Sequence, residues 1–354
     1  MARLLTDIPA LVFPVGLDRL VLAGEDQHET SCRLRIGVGP ATVFETTLWF
    51  DRTGQVMVED LAPLIYDQLR DMDFRAVPLE LEVTAATGGS YVIDDRLLLP
   101  CRVAPAEDAA AFCRNRFLTL CDVKQTTAAD TEHFALYDPP GDTLTTAAVL
   151  RLSLLDTVTG RISAEERSIA LPESRPDDAA VGFRMRMRDL VPEEEGLQLV
   201  SVEVTAGRRH KTLLMAEAPY GSVAVELRNA FGCRETVRLA RAERETKSAR
   251  QAAFMGGRYR NYLVREETTW KGTTLPVADG ELPLIDDLVH APRLWRAADG
   301  AELAVTDSEW KYSTEAGEMP RATVTWRETG RVSAFTPEQT AGNIFDSTFD
   351  ETYD

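Results

Sequence analysis

The residues that most often bind metals or carry catalysis are few and scattered in this 354-residue sequence. Its four histidines are His28, His133, His210 and His290. None belongs to a His-x-His, His-Glu-x-x-His or mixed His/Cys cluster, which are the spacings that hold zinc. The five cysteines are sparse, odd in number and without Cys-x-x-Cys spacing, so no disulfide framework is predicted. We therefore expect no metal site, no cofactor and reduced thiols.

Motifs for phosphate binding and for acid–base catalysis are also missing from the sequence. Gly88-Gly89 and Gly256-Gly257 form neither G-x-G-x-x-G nor a P-loop, and they lie between strand-like runs, which favours hairpin turns. The acidic pairs Asp94-Asp95 and Asp286-Asp287 are adjacent, so their side chains would point apart on a strand or a helix. No nucleophile elbow is present. We predict a protein that is not an enzyme; a hydrolase site assembled from distant residues is the alternative that only coordinates can test.

The most informative charges form a basic island, residues 234–271, in an otherwise acidic chain. The formal net charge of -18 disfavours non-specific adhesion to nucleic acid or anionic lipid. The island supplies six candidate subunit-interface residues, Arg234, Arg238, Arg241, Arg244, Lys247 and Arg250. Two interpretations stay open: two solvated hairpin strands with weak cross-strand ion pairs, or an interface with the acidic surface or tail of a neighbouring copy.

The last residues of the sequence combine acids with evenly spaced aromatics. Phe345, Phe349 and Tyr353 are four residues apart, with acidic residues between them. At this spacing they would line one face of a helix or anchor an extended peptide in a partner's groove. A frayed terminus is the alternative. These three aromatics complete the set of candidate interface residues.

The elements that must position these residues are predicted to be strands. Apolar residues alternate with period two in many short runs, separated by glycine-containing turns. Tight hairpins are expected at residues 51–54, 157–160 and 299–300. Helical periodicity is confined to residues 63–72, 107–116 and 283–289. The predicted fold class is therefore mainly β, with tandem β-sandwich or β-barrel-like domains and a few short helices.

The length of the chain exceeds what one hydrophobic core usually serves, so several domains are expected. We predict a β-sandwich-like domain at 1–105, a second β-rich domain at 106–234, a C-terminal β-rich domain at 235–340 and an acidic aromatic tail at 341–354. The segment LEVTA ending at Ala85 matches VEVTA ending at Ala206, after a strand and a turn in each case. The identities are too few to decide between duplication and coincidence. No signal peptide or transmembrane stretch is predicted, so synthesis in the cytoplasm is expected.

The C-terminal part of the chain resembles structural proteins of tailed phages and prophages, in particular components of the tail, tail tip or baseplate. The resemblance rests on residues 228–236 (RNAFGCRET), 257–262 (GRYRNY), 283–293 (PLIDDLVHAPR) and 305–308 (VTDS). It covers about the last 130 residues well, and the first 220 only through their β-rich layout.

This resemblance implies a structural subunit that closes into a homo-oligomeric ring at the tail tip or distal tail. Its partners would be further copies of itself and other tail proteins, with no membrane and no sequence-specific nucleic acid among them. Such a subunit is made in the host cytoplasm and becomes part of a virion or tail-like particle. Rings arise from heterologous contacts, in which each copy presents two different surfaces.

A carbohydrate- or receptor-binding β-sandwich module is the alternative function. It would use exposed tryptophans as platforms, and the candidates are Trp49, Trp270, Trp295, Trp310 and Trp326. Each lies in or beside a strand pattern, where a tryptophan is more often part of the core.

Overall fold

The chain folds into three β-rich domains, which confirms the predicted fold class. The computed structural model describes residues 2–25, 29–103, 105–173, 176–255, 258–291, 293–311 and 320–328. Within these residues, the three α-helices are seven to nine residues long, and none has the length and apolar character needed to cross a bilayer.

The first domain is a β-sandwich of eight strands. Its elements are β1 (Ala2–Leu4), β2 (Leu11–Val12), a 3₁₀ turn (Pro14–Leu17), β3 (Leu20–Gly24), β4 (Ser31–Val38), β5 (Ala41–Trp49), β6 (Gln55–Val58), α1 (Leu61–Asp67), β7 (Val77–Ala85) and β8 (Ser90–Leu98). One sheet has the order β2-β8-β7-β4-β5 and the other β1-β3-β6. Inward-facing aliphatic residues of both sheets, among them Leu22, Ile36 and Leu81, form one core.

The second domain is a sandwich of the same kind. Its elements are α2 (Ala109–Asn115), β9 (Val123–Thr127), β10 (Thr131–Leu136), β11 (Ala147–Asp156), β12 (Ile162–Ala170), β13 (Val181–Arg186), a 3₁₀ turn (Met187–Leu190), β14 (Leu197–Ala206) and β15 (Arg209–Ala216). A five-stranded sheet, β12-β11-β14-β15-β9, packs against the two-stranded sheet β10-β13.

The two sandwiches share one topology. In each, a short strand (β2 or β9) pairs in parallel with the last strand (β8 or β15), and the remaining pairs of the five-stranded sheet are antiparallel. The pair β3–β6 of the first domain corresponds to β10–β13 of the second. The matching segments LEVTA and VEVTA lie in the equivalent central strands β7 and β14. The two turns that we aligned with them are not equivalent, because residues 51–54 join β5 to β6 and residues 157–160 join β11 to β12.

The third domain is a closed barrel with one helix. Its elements are β16 (Val223–Arg228), β17 (Arg234–Met255), β18 (Arg258–Thr274), a 3₁₀ turn (Asp279–Glu281), α3 (Leu282–His290), β19 (Leu294–Arg296), β20 (Glu302–Lys311) and β21 (Arg321–Glu328). The strand order is β16-β17-β18-β21-β20-β19, and Leu284, Ile285 and Leu288 of α3 pack into the core. Because the barrel begins at Val223, the predicted boundary between residues 234 and 235 falls inside the β16–β17 hairpin.

The predicted turns and helices occur with modest differences. Residues 157–160 and 299–300 join paired antiparallel strands, and so does Gly88 with a φ of 94°. Residues 51–54 form a tight turn, but the strands on either side belong to different sheets. The three helices overlap their predicted ranges, with α1 ending five residues early. Gly256-Gly257 lies outside the described residues.

A hydrophobic cluster is shared by all three domains. We call it the junction cluster; its buried members are Leu11, Phe13, Phe74, Ala76, Leu99, Cys101, Ala109, Phe112, Cys113, Leu118, Tyr137, Ala230, Phe231 and Cys233. At its centre Phe231, from the β16–β17 turn, stacks on Phe112 at 4.9 Å between ring centroids. Phe13 of the first domain meets both rings edge-on, at 5.8 and 6.0 Å. The three domains therefore share this buried cluster in addition to their own hydrophobic cores.

Gly232 allows the β16–β17 turn to approach the first domain closely. Its φ is +75°, a conformation that side-chain-bearing residues rarely adopt. A Cβ atom at this position would lie 2.8 Å from the carbonyl oxygen of Met72. Both the turn conformation and the contact between domains thus require glycine.

We expect Gly232→Ala to destabilise the protein more than the matched variant Gly221→Ala. Gly221 has nearly the same φ, +73°, but open space around its Cβ position. Gly221→Ala should therefore lower the free energy of unfolding only by the strain of a positive φ, about 1–2 kcal/mol. Gly232→Ala should cost about 1–3 kcal/mol more, because the new methyl group collides with Met72. Urea unfolding followed by tryptophan fluorescence measures both, and equal losses would contradict the close contact.

Candidate functional site

The turn that carries the RNAFG segment is held by the side chain of Asn229. Its Oδ1 accepts hydrogen bonds from the backbone N–H groups of Phe231 and Cys233, at 3.0 and 3.1 Å. Its Nδ2 donates to the carbonyl oxygen of Leu118 at 2.8 Å and to Glu235 Oε2 at 3.3 Å. Asn229 therefore fixes the turn locally and also links it to the second domain and to Glu235.

Glu235 is a buried carboxylate at the contact between the second domain and the barrel. Its Oε1 accepts a hydrogen bond from Nζ of Lys211 at 2.5 Å, and its Oε2 accepts one from the hydroxyl of Thr119 at 3.0 Å. Both charged side chains are 2% exposed. Although burial opposes the charged forms, the attraction between the two groups lowers the pKa of Glu235 and raises that of Lys211. The pair is thus ionised and dependent on both domains being in place.

Further buried ion pairs surround the junction. They join Lys124 to Glu132 at 2.6 Å, Arg209 to Asp138 at 2.7 Å and Arg238 to Asp130 at 2.5 Å. The Arg238–Asp130 pair connects the barrel to the turn between β9 and β10. Arg238 was a candidate for contact with another subunit, but the structure uses its guanidinium inside the chain.

Arg102 ties the end of the first domain to helix α3 of the barrel. Its guanidinium donates to both Asp286 and Asp287, the latter at 3.2 Å, so these adjacent carboxylates do not point apart as expected from the sequence. Asp287 is buried and Asp286 is half-buried. Burial and the nearby charge of Glu235 raise the pKa of Asp287 to about 7, with Arg102 acting in the opposite direction.

Arg234 also has its partners inside the chain. It forms an ion pair with Glu226 at 2.8 Å and lies over the ring of Trp295 at 4.9 Å. Two of the six basic interface candidates, Arg234 and Arg238, therefore pair with buried or half-buried carboxylates of the same chain. The side chain of Arg241 lies outside the described residues, as do Phe345, Phe349 and Tyr353.

The remaining candidates, Arg244, Lys247 and Arg250, lie on an extension of the β17–β18 hairpin. Strand β18 pairs with β21 only from Trp270 to Thr273, so beyond this point β17 and β18 pair with each other alone. We call this extension, residues 245–255 with 258–269, the hairpin arm. At about 3.3 Å per residue it is on the order of 35 Å long. Arg244 at its base lies over Trp270, at 6.0 Å, and all three basic side chains are exposed.

The tryptophans do not form a common platform. Trp326 is buried in the barrel, Trp270 packs against the same core, and Trp295 lies beneath Arg228 and Arg234. Trp49 and Trp310 are exposed, but they lie in different domains, on β5 and β20.

The histidines are also separated from one another. His133 contacts Glu226 at 3.2 Å, and His290 contacts Asp286. In the part of the chain that the structure describes, no group of three or more His, Cys, Asp or Glu side chains could hold a metal ion. His28 lies outside that part. The five cysteines are unbonded and buried, and burial raises the pKa of Cys101, Cys113 and Cys121 to about 12.

No protein-family model and no curated protein matches this sequence. Several solved structures align with parts of it. The fibronectin(III)-like modules of Clostridium thermocellum CbhA cover 61% of this chain and 93% of their own, at 7% identity and a TM-score of 0.18. The extracellular region of plexin A4 covers 93% and 39%, at 9% identity and a TM-score of 0.20. A Ca²⁺-stabilized, ice-binding adhesin of an Antarctic bacterium covers 90% and 95%, at 11% identity and a TM-score of 0.15. These scores are too low to indicate a function.

Breaking the buried pair at the junction should be costly. We expect Glu235→Gln to lower the free energy of unfolding by about 3–5 kcal/mol, because it leaves the Lys211 ammonium buried without its counter-charge. Adding Lys211→Met to Glu235→Gln should recover at least about 2 kcal/mol, since no unpaired charge then remains. Urea unfolding of the wild type, both single variants and the double variant gives the coupling energy. Additive losses would contradict a direct ion pair.

The raised pKa of Asp287 predicts a specific pH dependence. The folded protein keeps a proton on this carboxyl up to about pH 7, whereas the unfolded chain releases it near the ordinary value of 3.8. The free energy of unfolding should therefore fall as the pH rises from 3.8 to about 7. Asp287→Asn should make that fall smaller, and Asp286→Asn, which removes a nearby charge that also raises the pKa of Asp287, should reduce it to a lesser extent. Urea unfolding at pH 5, 6, 7 and 8 measures the three slopes; a wild-type slope in Asp287→Asn would exclude Asp287 as the source.

Proposed function

We propose that the chain is a non-enzymatic structural subunit of a phage tail or tail-like particle, which assembles into a ring by means of the hairpin arm. The observation that carries this proposal is the arm itself. A two-stranded ribbon is marginally stable in water on its own. This one extends about 35 Å beyond a barrel whose other strands are closed on one another. A neighbouring molecule that covers the arm supplies the missing contacts.

The edges of the arm are suited to contact with a second copy. Along residues 245–255 and 258–269, each strand has one paired edge and one open edge. Open edges are surfaces on which another chain can pair or pack. An arm from one copy that lies on the body of the next makes two different surfaces meet, and repetition of such a contact closes a ring.

The charges of the arm fit an acidic neighbour. Arg244, Lys247 and Arg250 are exposed, and the described ion pair of Lys247 is a solvated one with Glu245 at 3.2 Å. Solvated pairs of this kind hold their partners weakly. The chain as a whole has a net charge of -18, so another copy offers predominantly acidic surface. Complementary charges would set the register and the rate of association more than the affinity.

The resemblance to tail proteins supports the same proposal. Of its matching residues, 228–236 include the turn that enters the junction cluster, and 283–291 include most of helix α3, which packs into the barrel core. These residues fix how the arm projects from the body. A subunit that holds other tail proteins in position and transmits attachment between them requires this kind of rigidity. The proposal includes no chemical reaction.

Shortening the arm should abolish assembly without unfolding the body. We expect a variant in which Asn-Gly replaces residues 246–268 to fold, because Glu245 and Thr269 are opposite each other and a two-residue turn can join them. Multi-angle light scattering and negative-stain microscopy should show rings for the full chain and monomers for the shortened chain. Far-UV circular dichroism checks that the domains remain folded.

Charge reversal refines this test. Arg244→Glu with Lys247→Glu should slow assembly at least about tenfold at low salt, with a smaller effect at high salt. The same reversal at two exposed arginines of the second domain, Arg151 and Arg208, is the matched control. Rings formed equally well by the shortened chain, or a full chain that stays monomeric at high concentration with and without other tail proteins, would rule the proposal out.

A further inference from the structure

A groove lies between the second domain and the barrel, on the outward face of the sheet β10–β13. Two adjoining cavities, of about 300 and about 500 Å³, share His133 and Arg184 as lining residues and so form one continuous groove. Along β13, Phe183 and Met185 face the sandwich core, and Arg184 and Arg186 face outward. This alternation places Arg184 and Arg186 in a row along the groove, with Arg188 following them.

The groove has an excess of positive charge. Its three carboxylates are already paired with arginines of the barrel domain: Asp73 with Arg228, Asp130 with Arg238 and Glu226 with Arg234, at 2.5–2.8 Å. Arg184 and Arg186 are exposed and have no ion-pair partner among the described residues. Arg188 reaches only its exposed neighbour Asp189, at 3.5 Å. In a chain of net charge -18, this row of cations is a site for an anionic group.

The opposite end of the groove is less polar. It is lined by Phe74, Ala135, Ala180 and Gly182, together with parts of Phe134 and Phe183. A ligand that fills the whole groove would therefore carry acids at one place and apolar or aromatic groups at another. A free phosphate or a small carboxylate would use only the basic end.

We infer that the groove binds the acidic aromatic segment 340–354 of the same chain. This segment contains four acids, Asp346, Asp350, Glu351 and Asp354, and no lysine or arginine. It repeats an aromatic residue followed by an aspartate every four residues, at Phe345, Phe349 and Tyr353. Acids for the arginine row and aromatics for the apolar end are the two features that the groove requires.

The position of the last described strand favours binding within one molecule. Strand β21 ends at Glu328, which forms an ion pair with Arg296 at 2.8 Å. Ala297, the residue after Arg296, lines the groove. Residues 329–339 connect Glu328 to the segment, and eleven residues can span up to about 36 Å. A tether of this length gives an effective concentration in the millimolar range, well above the concentration of a second copy. The inference does not depend on the proposed function, because the arm has no part in it.

Limited digestion of the full chain with chymotrypsin tests this binding, since Phe345, Phe349 and Tyr353 are cleavage sites. We expect the terminal fragments to be released slowly from the wild type, and mass spectrometry measures the rate of release. Arg184→Glu with Arg186→Glu should accelerate release about tenfold. Asp346→Asn with Asp350→Asn and Glu351→Gln should do the same without altering the folded domains, and Arg151→Glu with Arg208→Glu should have no effect.

The outcomes separate the possible occupants. Protection that is unchanged over a hundredfold dilution of the protein supports binding within one chain. Protection that disappears on dilution would overturn that assignment and place the segment of a neighbouring copy in the groove. Cleavage at the same fast rate in the wild type and in the Arg184/Arg186 variant would show that the groove does not hold the segment at all.

Discussion

The carboxylate of Glu235 is a charge buried where the second domain meets the barrel. The arrangement of the chain depends on supplying this carboxylate with hydrogen bonds and a counter-charge. Its hydrogen-bond donors come from different parts of the chain: Lys211 from the second domain, Thr119 from the segment before β9, and Asn229 from the β16–β17 turn. A buried charge is tolerated only with its partners in place. Hydrophobic contacts such as those of the junction cluster are non-directional, whereas hydrogen bonds to a buried charge require specific distances and angles.

A fixed arrangement of domains determines what the surface can do. The arm continues β17, the strand that carries Glu235 and Arg238, so its direction is set by the junction. The groove borders the same strand, because Arg234 of β17 is one of its lining residues. Next to it, the hydroxyl of Thr236 on β17 donates to the carbonyl oxygen of Thr131 on β10 at 2.5 Å. The long strand β17 therefore couples the core, the groove and the arm, and a change at the junction would alter both surfaces.

Local chemistry predicted the strands, the helices and most of the turns. Gly160 and Gly300 indicate turns in the sequence because a tight turn needs a residue with positive φ, which is a local requirement of the backbone. The sequence could not indicate which charges are used internally. Arg238 and Arg244 look alike in the basic island, but Arg238 pairs with Asp130, 108 positions earlier in the chain. Arg244 lies over Trp270 and stays exposed to solvent. The arginine row on β13 cannot be recognised from the sequence for a related reason: FRMRMR (residues 183–188) shows only the alternation of a strand, and the contact with the barrel turns its polar face into a groove.

A difference between the two sandwiches, which otherwise share one topology, accounts for the groove in the second. In the first domain, β3 pairs with β6 on one side and with β1 on the other. In the second, the equivalent strand β10 pairs with β13, and no described strand corresponds to β1. Its open edge meets the barrel instead, at β17. The outward-facing residues of β6, the equivalent of β13 in the first domain, are Gln55 and Met57, which carry no charge. The open edge of β10 and the two arginines of β13 thus distinguish this face from that of the first domain and suit it to an acidic segment.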